Sequence, residues 1–420
     1  MVIKKNRGIS AFDLVCCALI LVMFSRVLSA LGLPKAIDFA HFGILVLALF
    51  SVGLHFKRIT TIACPIIGLL LVFILSGIWN EAGVVNVVLG FLLLAEPFLL
   101  VLAFSMCIWT KENILSMQVL IGVFVCTHIS FSYFQFFALG LIHDDVKGIF
   151  IGMNNGHHVG GALSMVAIVY YASAPWIRSN FIKLLISISL MIQIVMSDAK
   201  QVVLVFLIAG FLYLVLFSKL MSVLHKVGII LLGVFFTLLL VLYVPGFSAW
   251  MDIDVIIEGA TQKISVISIA ISYFDSSVGW LLGVGPGHSI SRLGWLIPEY
   301  YHVLEPIGVT YHDASEAIIF ANQNHWMSNS ITGSSLFSLF FSFAGVWGDL
   351  GGGGLTFYLA SWGYVWKYYA GEGLGRLLLI AIFIFGWVFA YLEEPGFTMF
   401  ICTVIILMFQ EELLAKKELN

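Results

Sequence analysis

Between Asp13 and Leu31 the chain carries one charged side chain, Arg26, and apolar runs of this length recur to its far end. A helix needs about 20 consecutive apolar residues to cross a bilayer. The runs predict spans near 12–31, 37–55, 60–79, 84–108, 114–139, 158–175, 181–197, 201–217, 227–244, 352–368, 376–391 and 396–411. The expected fold class is therefore an all-α polytopic membrane protein of about 12 transmembrane helices. Composition demands the same surroundings. Charged residues make up 10% of the chain, against about 25% in soluble domains. Too few polar side chains exist to cover a water-facing surface, so the outer solvent must be lipid. A cleaved leader is the rival reading of the first run. Its full span length and the lack of a small-residue cleavage site argue against that.

Orientation follows from the bias of lysine and arginine in short loops. With a cytoplasmic N-terminus, one side holds 14 bases: Lys4, Lys5, Arg7, Lys57, Arg58, Lys111, Arg178, Lys183, Lys219, Lys226, Lys367, Arg376, Lys416 and Lys417. The other holds five: Lys35, Lys147, Lys200, Lys263 and Arg292. Both termini are expected in the cytoplasm and the chain in a bacterial inner membrane. Residues 1–244 then form spans one to nine, 245–348 a large exoplasmic loop, and 349–420 spans ten to twelve. The halves show no clear internal repeat, which disfavours an inverted-repeat transporter.

Several function classes drop out. No basic tract suggests nucleic acid as a partner. The six cysteines all lie in or beside apolar runs, with no zinc-like spacing and none in the large loop. His302, Glu305, His312, Asp313 and Glu316 cluster in sequence, but their spacing matches no metal motif, so no metal or other cofactor is expected. The loop is nonetheless rich in aromatics, and Ile264, Ile267, Ile271 and Phe274 recur at helical spacing. That stretch reads as an amphipathic helix along the membrane surface. Acidic residues dominate the loop, so an anionic ligand on that side has few possible partners: Lys147, Lys200, Lys263 and Arg292.

Three segments carry candidate chemistry. In LLGVGPGHSISRLGW, from Leu281 to Trp295, Gly283, Gly285 and Gly287 permit positive φ and close backbone approach. His288 and Arg292 follow. The pattern fits a simple tight turn equally, and no P-loop lysine is present. In MSDAKQ, from Met196 to Gln201, Asp198 and Lys200 sit where the chain re-enters the membrane. Lys200 is either a snorkelling side chain or a fixed cation at headgroup level. In HDDVKGIFIGMNNGHH, from His143 to His158, the side chains Asn154, Asn155, His157 and His158 suit sugar hydroxyls, or merely open a helix. Asp349, at the mouth of span ten, either caps that helix or orients a base.

SDAKQVVLVF, LLGVGPGHSISR and SSLFSLFFSFAGVWGDLG, in that order around one large exoplasmic loop, resemble the Wzy-type polymerases of O-antigen and exopolysaccharide. The resemblance covers roughly residues 140 to 370 and the hydropathy of the whole chain. It implies a GT-C-like membrane fold and a polyprenyl-diphosphate-linked oligosaccharide as substrate. The growing glycan would pass from one lipid carrier to the sugar of another, without nucleotide sugar. A flippase and a chain-length regulator are the implied partner proteins. The family often places a basic residue after the turn matching SDAK, and Lys200 stands there. Lysine keeps the charge but loses bidentate geometry. The His-Asn motif usual in the sister ligases is replaced by Ser334 and Ser335, with His325 farther upstream. That departure favours polymerase over ligase and leaves the base unassigned. Lys200, Arg292, His288 and Asp198 become the catalytic candidates. Gly285, Gly287, Asn154, His157, His158, Lys263, His325 and Asp349 become the substrate-binding ones. A ligase acting on lipid A core or protein, and a transporter or flippase, remain the alternatives.

Overall fold

A computed structural model describes residues 10–51, 56–217, 252–328 and 338–419 except 372, with a few isolated positions between 218 and 251. All regular structure among the described residues is helical. The helices are α1 Ala11–Ala30, α2 Ala40–Ser51, α3 Phe56–Trp79, α4 Val84–Met106, α5 Lys111–Tyr133, α6 Gly156–Ser173, α7 Asn180–Met196 and α8 Lys200–Phe217. After the gap come α9 Ile253–Ser272, α10 Ser277–Leu282, α11 Arg292–Leu304, α12 Asp313–Ser328, α13 Ser342–Tyr369, α14 Gly375–Val388 and α15 Pro395–Leu419. The expected span over 227–244 and residues Ser334 and Ser335 lie outside the described residues, apart from four isolated helical positions in the former.

Six described helices are long and apolar enough to cross a membrane: α1, α4, α5, α8, α9 and α15. Shorter apolar helices cover Ile37–Ser51, Ala63–Trp79, Asn180–Met196 and Gly375–Val388. The twelve-span expectation thus stands at the coarser level of an all-helical membrane protein. α6 and α13 are less apolar because His157, His158, the glycines and several Tyr and Trp residues dilute them.

Each helix end has a local cause. Ser10 and Asp13 form a capping box at α1, and Thr110 caps α5. Arg26, inside the first span, pairs with Asp38 across the turn to α2 at 2.6 Å. A charge in that position needs such a partner. α13 breaks at Gly351, whose φ is 63°, so a short helix precedes the membrane-length part.

α9 departs from expectation twice. It has span length and hydropathy, where the sequence suggested a surface helix. Its buried positions are Gly259, Val266 and Ala270, while Ile264 is 62% exposed. Val266 and Ala270 pack with Ile290, Ile318, Phe340, Phe341 and Ala344 in a small core of the loop itself, apart from the main bundle core.

Candidate functional site

Five connections meet at one end of the bundle, and all were expected on the exoplasmic side: the α3–α4 turn, the 139–155 segment, the α7–α8 turn, the 283–292 strap and the α14–α15 turn. Ser76 of α3 donates to the carbonyl of Leu282 at 2.6 Å, and Asn86 of α4 donates to that of Pro286 at 3.0 Å. The strap itself follows its glycines. Gly283, Gly285 and Gly287 have φ of 70°, 109° and 72°, values that L side chains avoid.

Asp349 grips the middle of this strap. Its carboxylate accepts from the backbone N–H of Gly287 at 2.7 Å and of Ser289 at 2.9 Å, and from the Ser289 hydroxyl at 2.6 Å. Burial pushes its pKa up to about 6, against the pull of these donors. His288 has both ring nitrogens engaged within the protein. Nδ1 lies 3.0 Å from the carbonyl of Val284, which can only accept, so Nδ1 carries the proton. Nε2 then accepts from Thr310, 3.0 Å away, whose oxygen also receives the Gly83 N–H. Burial lowers the His288 pKa to about 4. The ring is a neutral crosslink between the strap, Thr310 and the α3–α4 turn.

A cradle of mixed charge forms beside the strap, and Lys147 lies 4.0 Å from Asp145 within it. α5 ends in a π-turn, Phe134–Ala138, a feature common near functional sites. It carries Gln135 back toward the 143–155 segment. The Gln135 Oε1 accepts from the N–H of Lys147 at 2.8 Å and of Gly148 at 2.7 Å, and its amide donates to the Gly148 carbonyl at 3.0 Å. Lys147 is thereby laid across the first residue of α6: a Cβ on Gly156 would meet its side chain at 3.2 Å. His157 lies 3.4 Å from Asp144, and the charges of Asp144, Lys147 and Asp198 all act on its ring. Lys200 pairs with Asp198 at 2.9 Å, and Asp198 approaches His143 at 3.8 Å. α6 and α8 pack closely near these ends, a Cβ on Gly161 falling 2.6 Å from that of Ala199. Two helix N-termini, each with positive dipole character, therefore sit with Lys147, Lys200 and His157. His143 and Asp198 are two of three non-glycine residues with positive φ among those described. Such backbone strain gathers at functional sites.

Arg292 belongs to a second, more enclosed cluster. Its guanidinium pairs with Glu394 and donates to the Glu393 carbonyl at 2.9 Å, while its N–H donates to the Glu393 carboxylate at 2.8 Å. Farther inside, His41 and Glu96 approach to 2.8 Å with both side chains buried. Glu96 also feels the charges of Glu394 and Arg292. Tyr391 links the two clusters: the charges of Asp144 and of Glu394 both act on its hydroxyl. Glu393, Glu394, Tyr391, Gln135 and His41 were not singled out from the sequence, whereas Glu96, beside Pro97 in span four, stands out there as an ionisable group deep in an apolar run. The available signal was YLEEPG, two adjacent acids in a short break between apolar runs.

The remaining expected residues are dispersed. Lys263 donates to the carbonyl of Val388 at 2.7 Å and lies over the Phe341 ring. Asn154 is exposed beside the cradle. His158 is buried, its ring 3.8 Å from that of His157 and 5.5 Å from that of Phe389. His325 lies in α12, but its side chain is outside the described residues. His312 caps α12 through the Ala314 N–H and stacks on His288 at 5.6 Å. Among the described residues no three His, Cys, Asp or Glu side chains gather as metal ligands would. No protein-family model matches this chain, and no curated protein matches it.

Proposed function

We propose that the chain is a membrane glycosyltransferase of the Wzy type, which polymerises a surface polysaccharide from polyprenyl-diphosphate-linked units. The observation that carries this reading is the cradle. Lys147, Lys200 and His157 collect at two helix N-termini, whose dipoles favour a diphosphate that takes the place of Asp145 and Asp198 on the two lysines. The cradle is reachable: the Lys200 side chain is 28% exposed and that of Asp144 71%. An acceptor hydroxyl attacks the anomeric carbon, the glycosidic bond to the diphosphate breaks, and the departing oxygen's charge is met by the lysines. In this reading Lys147 and Lys200 hold the leaving group. Arg292, already opposed by Glu394, braces the strap alongside.

The test is polymer length in cells carrying each variant at matched membrane abundance. Losing a charged hydrogen bond costs about 1.5–3 kcal/mol, roughly a tenfold to hundredfold loss of rate when the bond is made in the transition state. Lys147→Ala and Lys200→Ala should each shorten the polymer sharply, and Lys200→Arg should retain more activity than Lys200→Ala. Normal polymer from both alanine variants sinks the assignment. A second reading, a proton-linked transporter, is favoured by the buried His41–Glu96 contact, since paired ionisable groups inside a bundle often mark ion pathways. Deletion separates the readings. Single units left on the carrier outside indicate lost polymerisation, units retained on the inner leaflet lost transport, and long chains left on the carrier lost ligation.

A further inference from the structure

The enclosed cluster has a charge imbalance that hydrogen-bond geometry resolves. Among the described residues, the carboxyls of Glu96, Asp349, Glu393 and Glu394 stand with Arg292 as the nearby guanidinium. Arg292 opposes Glu394, and His41 meets Glu96 at 2.8 Å. Asp349 and Glu393 remain, close enough that each carboxylate raises the cost of ionising the other. Their surroundings are unequal. Asp349 accepts three hydrogen bonds from the strap. Glu393 accepts one, from the Arg292 N–H, and its other oxygen is buried without a partner in a residue 2% exposed. An ionised oxygen left bare in the interior is far costlier than a neutral carboxylic acid. The proton therefore resides on Glu393, and Asp349 keeps the negative charge.

The two carboxyls hold the strap at separate points, Asp349 at Gly287 and Ser289 and Glu393 at Arg292. We propose that Glu393 is a proton-bearing latch: neutral, it seats the 284–292 strap on the α14–α15 turn, and on losing its proton to water it is repelled by Asp349 and the strap loosens. Facing it are Asp349 and the Tyr358 hydroxyl from α13, Arg292 from α11, Glu394 and Tyr391 from its own turn, and Glu96 and His41 behind them. Tyr391 feels the charges of both Glu394 and the exposed Asp144. Burial and Asp349 raise the Glu393 pKa to about 8, so release falls in an accessible range. The inference goes beyond the diphosphate reading and does not depend on it.

Two measurements on the full chain in detergent test it. Infrared spectroscopy at neutral pH should show a protonated-carboxyl band that Glu393→Gln removes. Amide exchange at Ser289 and Arg292, corrected for intrinsic base catalysis, should accelerate severalfold from about pH 7 to about pH 9. Glu393→Gln, which mimics the neutral acid, should flatten that rise. Should that variant fail to fold, Asp349→Asn serves instead: with the repelling charge gone, the Glu393 band should be lost at lower pH than in the parent. An unchanged band in Glu393→Gln, or a parent strap whose exchange ignores pH, overturns the proposal.

Discussion

Asp349 and Glu393 are both buried, yet the number of N–H groups each receives sends them to opposite protonation states. That asymmetry has a consequence for stability. Glu393 is raised from 4.5 to about 8, so between those values the folded chain holds a proton that the unfolded chain has released. Stability must then fall as pH rises through this window and level off above it. Asp349, raised from 3.8 to about 6, acts in the same direction at lower pH. His288 acts oppositely: lowered from 6.5 to about 4, it removes stability as pH falls through that interval. Above pH 6.5 Glu393 is the remaining one of these three that titrates. When parent and Glu393→Gln are compared by thermal or denaturant unfolding between pH 6.5 and about 8, the parent should lose up to about 1.4 kcal/mol more per pH unit than the variant. A difference of the opposite sign, or parallel pH profiles in parent and variant, would contradict the assignment.

At the scale of elements, the α5 terminus shows how position is transmitted to the cradle. Gln135 makes three hydrogen bonds to the backbone of Lys147 and Gly148, and it can do so because the π-turn redirects its side chain. Gln135→Leu should leave these buried groups unpaired at a cost of about 1–3 kcal/mol. Local exchange at Lys147 and Gly148 should rise more than exchange in α4, and polymer should shorten as in Lys147→Ala. Gln135→Glu keeps the acceptor and should restore the Lys147 contact in part. Equal exchange in variant and parent would detach Gln135 from the cradle. This element also shows what the sequence could convey. Lys200, Asp198, His157 and the strap glycines were legible because a charge or a glycine inside an apolar chain demands a local reason. Gln135, Glu393 and Glu394 were not, since their roles arise from partners far along the chain. Their importance needs a π-turn and a packed bundle to become visible. The α9 stripe was misplaced for a related reason: its core is built by Ile290, Ile318 and Phe340, and no periodicity within α9 reveals where those will pack.

Across the whole molecule, several loops that lysine and arginine bias assigns to one side contact one another. The α7–α8 turn approaches the 143–155 segment through Asp198 and His143, the strap joins the α14–α15 turn through Arg292 and Glu394, and Asn86 near the α3–α4 turn binds Thr310. Which face looks outward rests on the 14 bases against five. Cysteine accessibility tests that directly in a background lacking the six native thiols. Ser291 would be a poor probe, being 3% exposed. A cysteine at Asp275, exposed in the loop between α9 and α10, should react with an impermeant maleimide added to intact cells. A cysteine at Asn180, exposed at the start of α7, should react after the membrane is opened. The reverse pattern would turn the cradle toward the cytoplasm, where an exoplasmic lipid-linked glycan cannot reach Lys147 or Lys200, and the glycosyltransferase reading would fall with it.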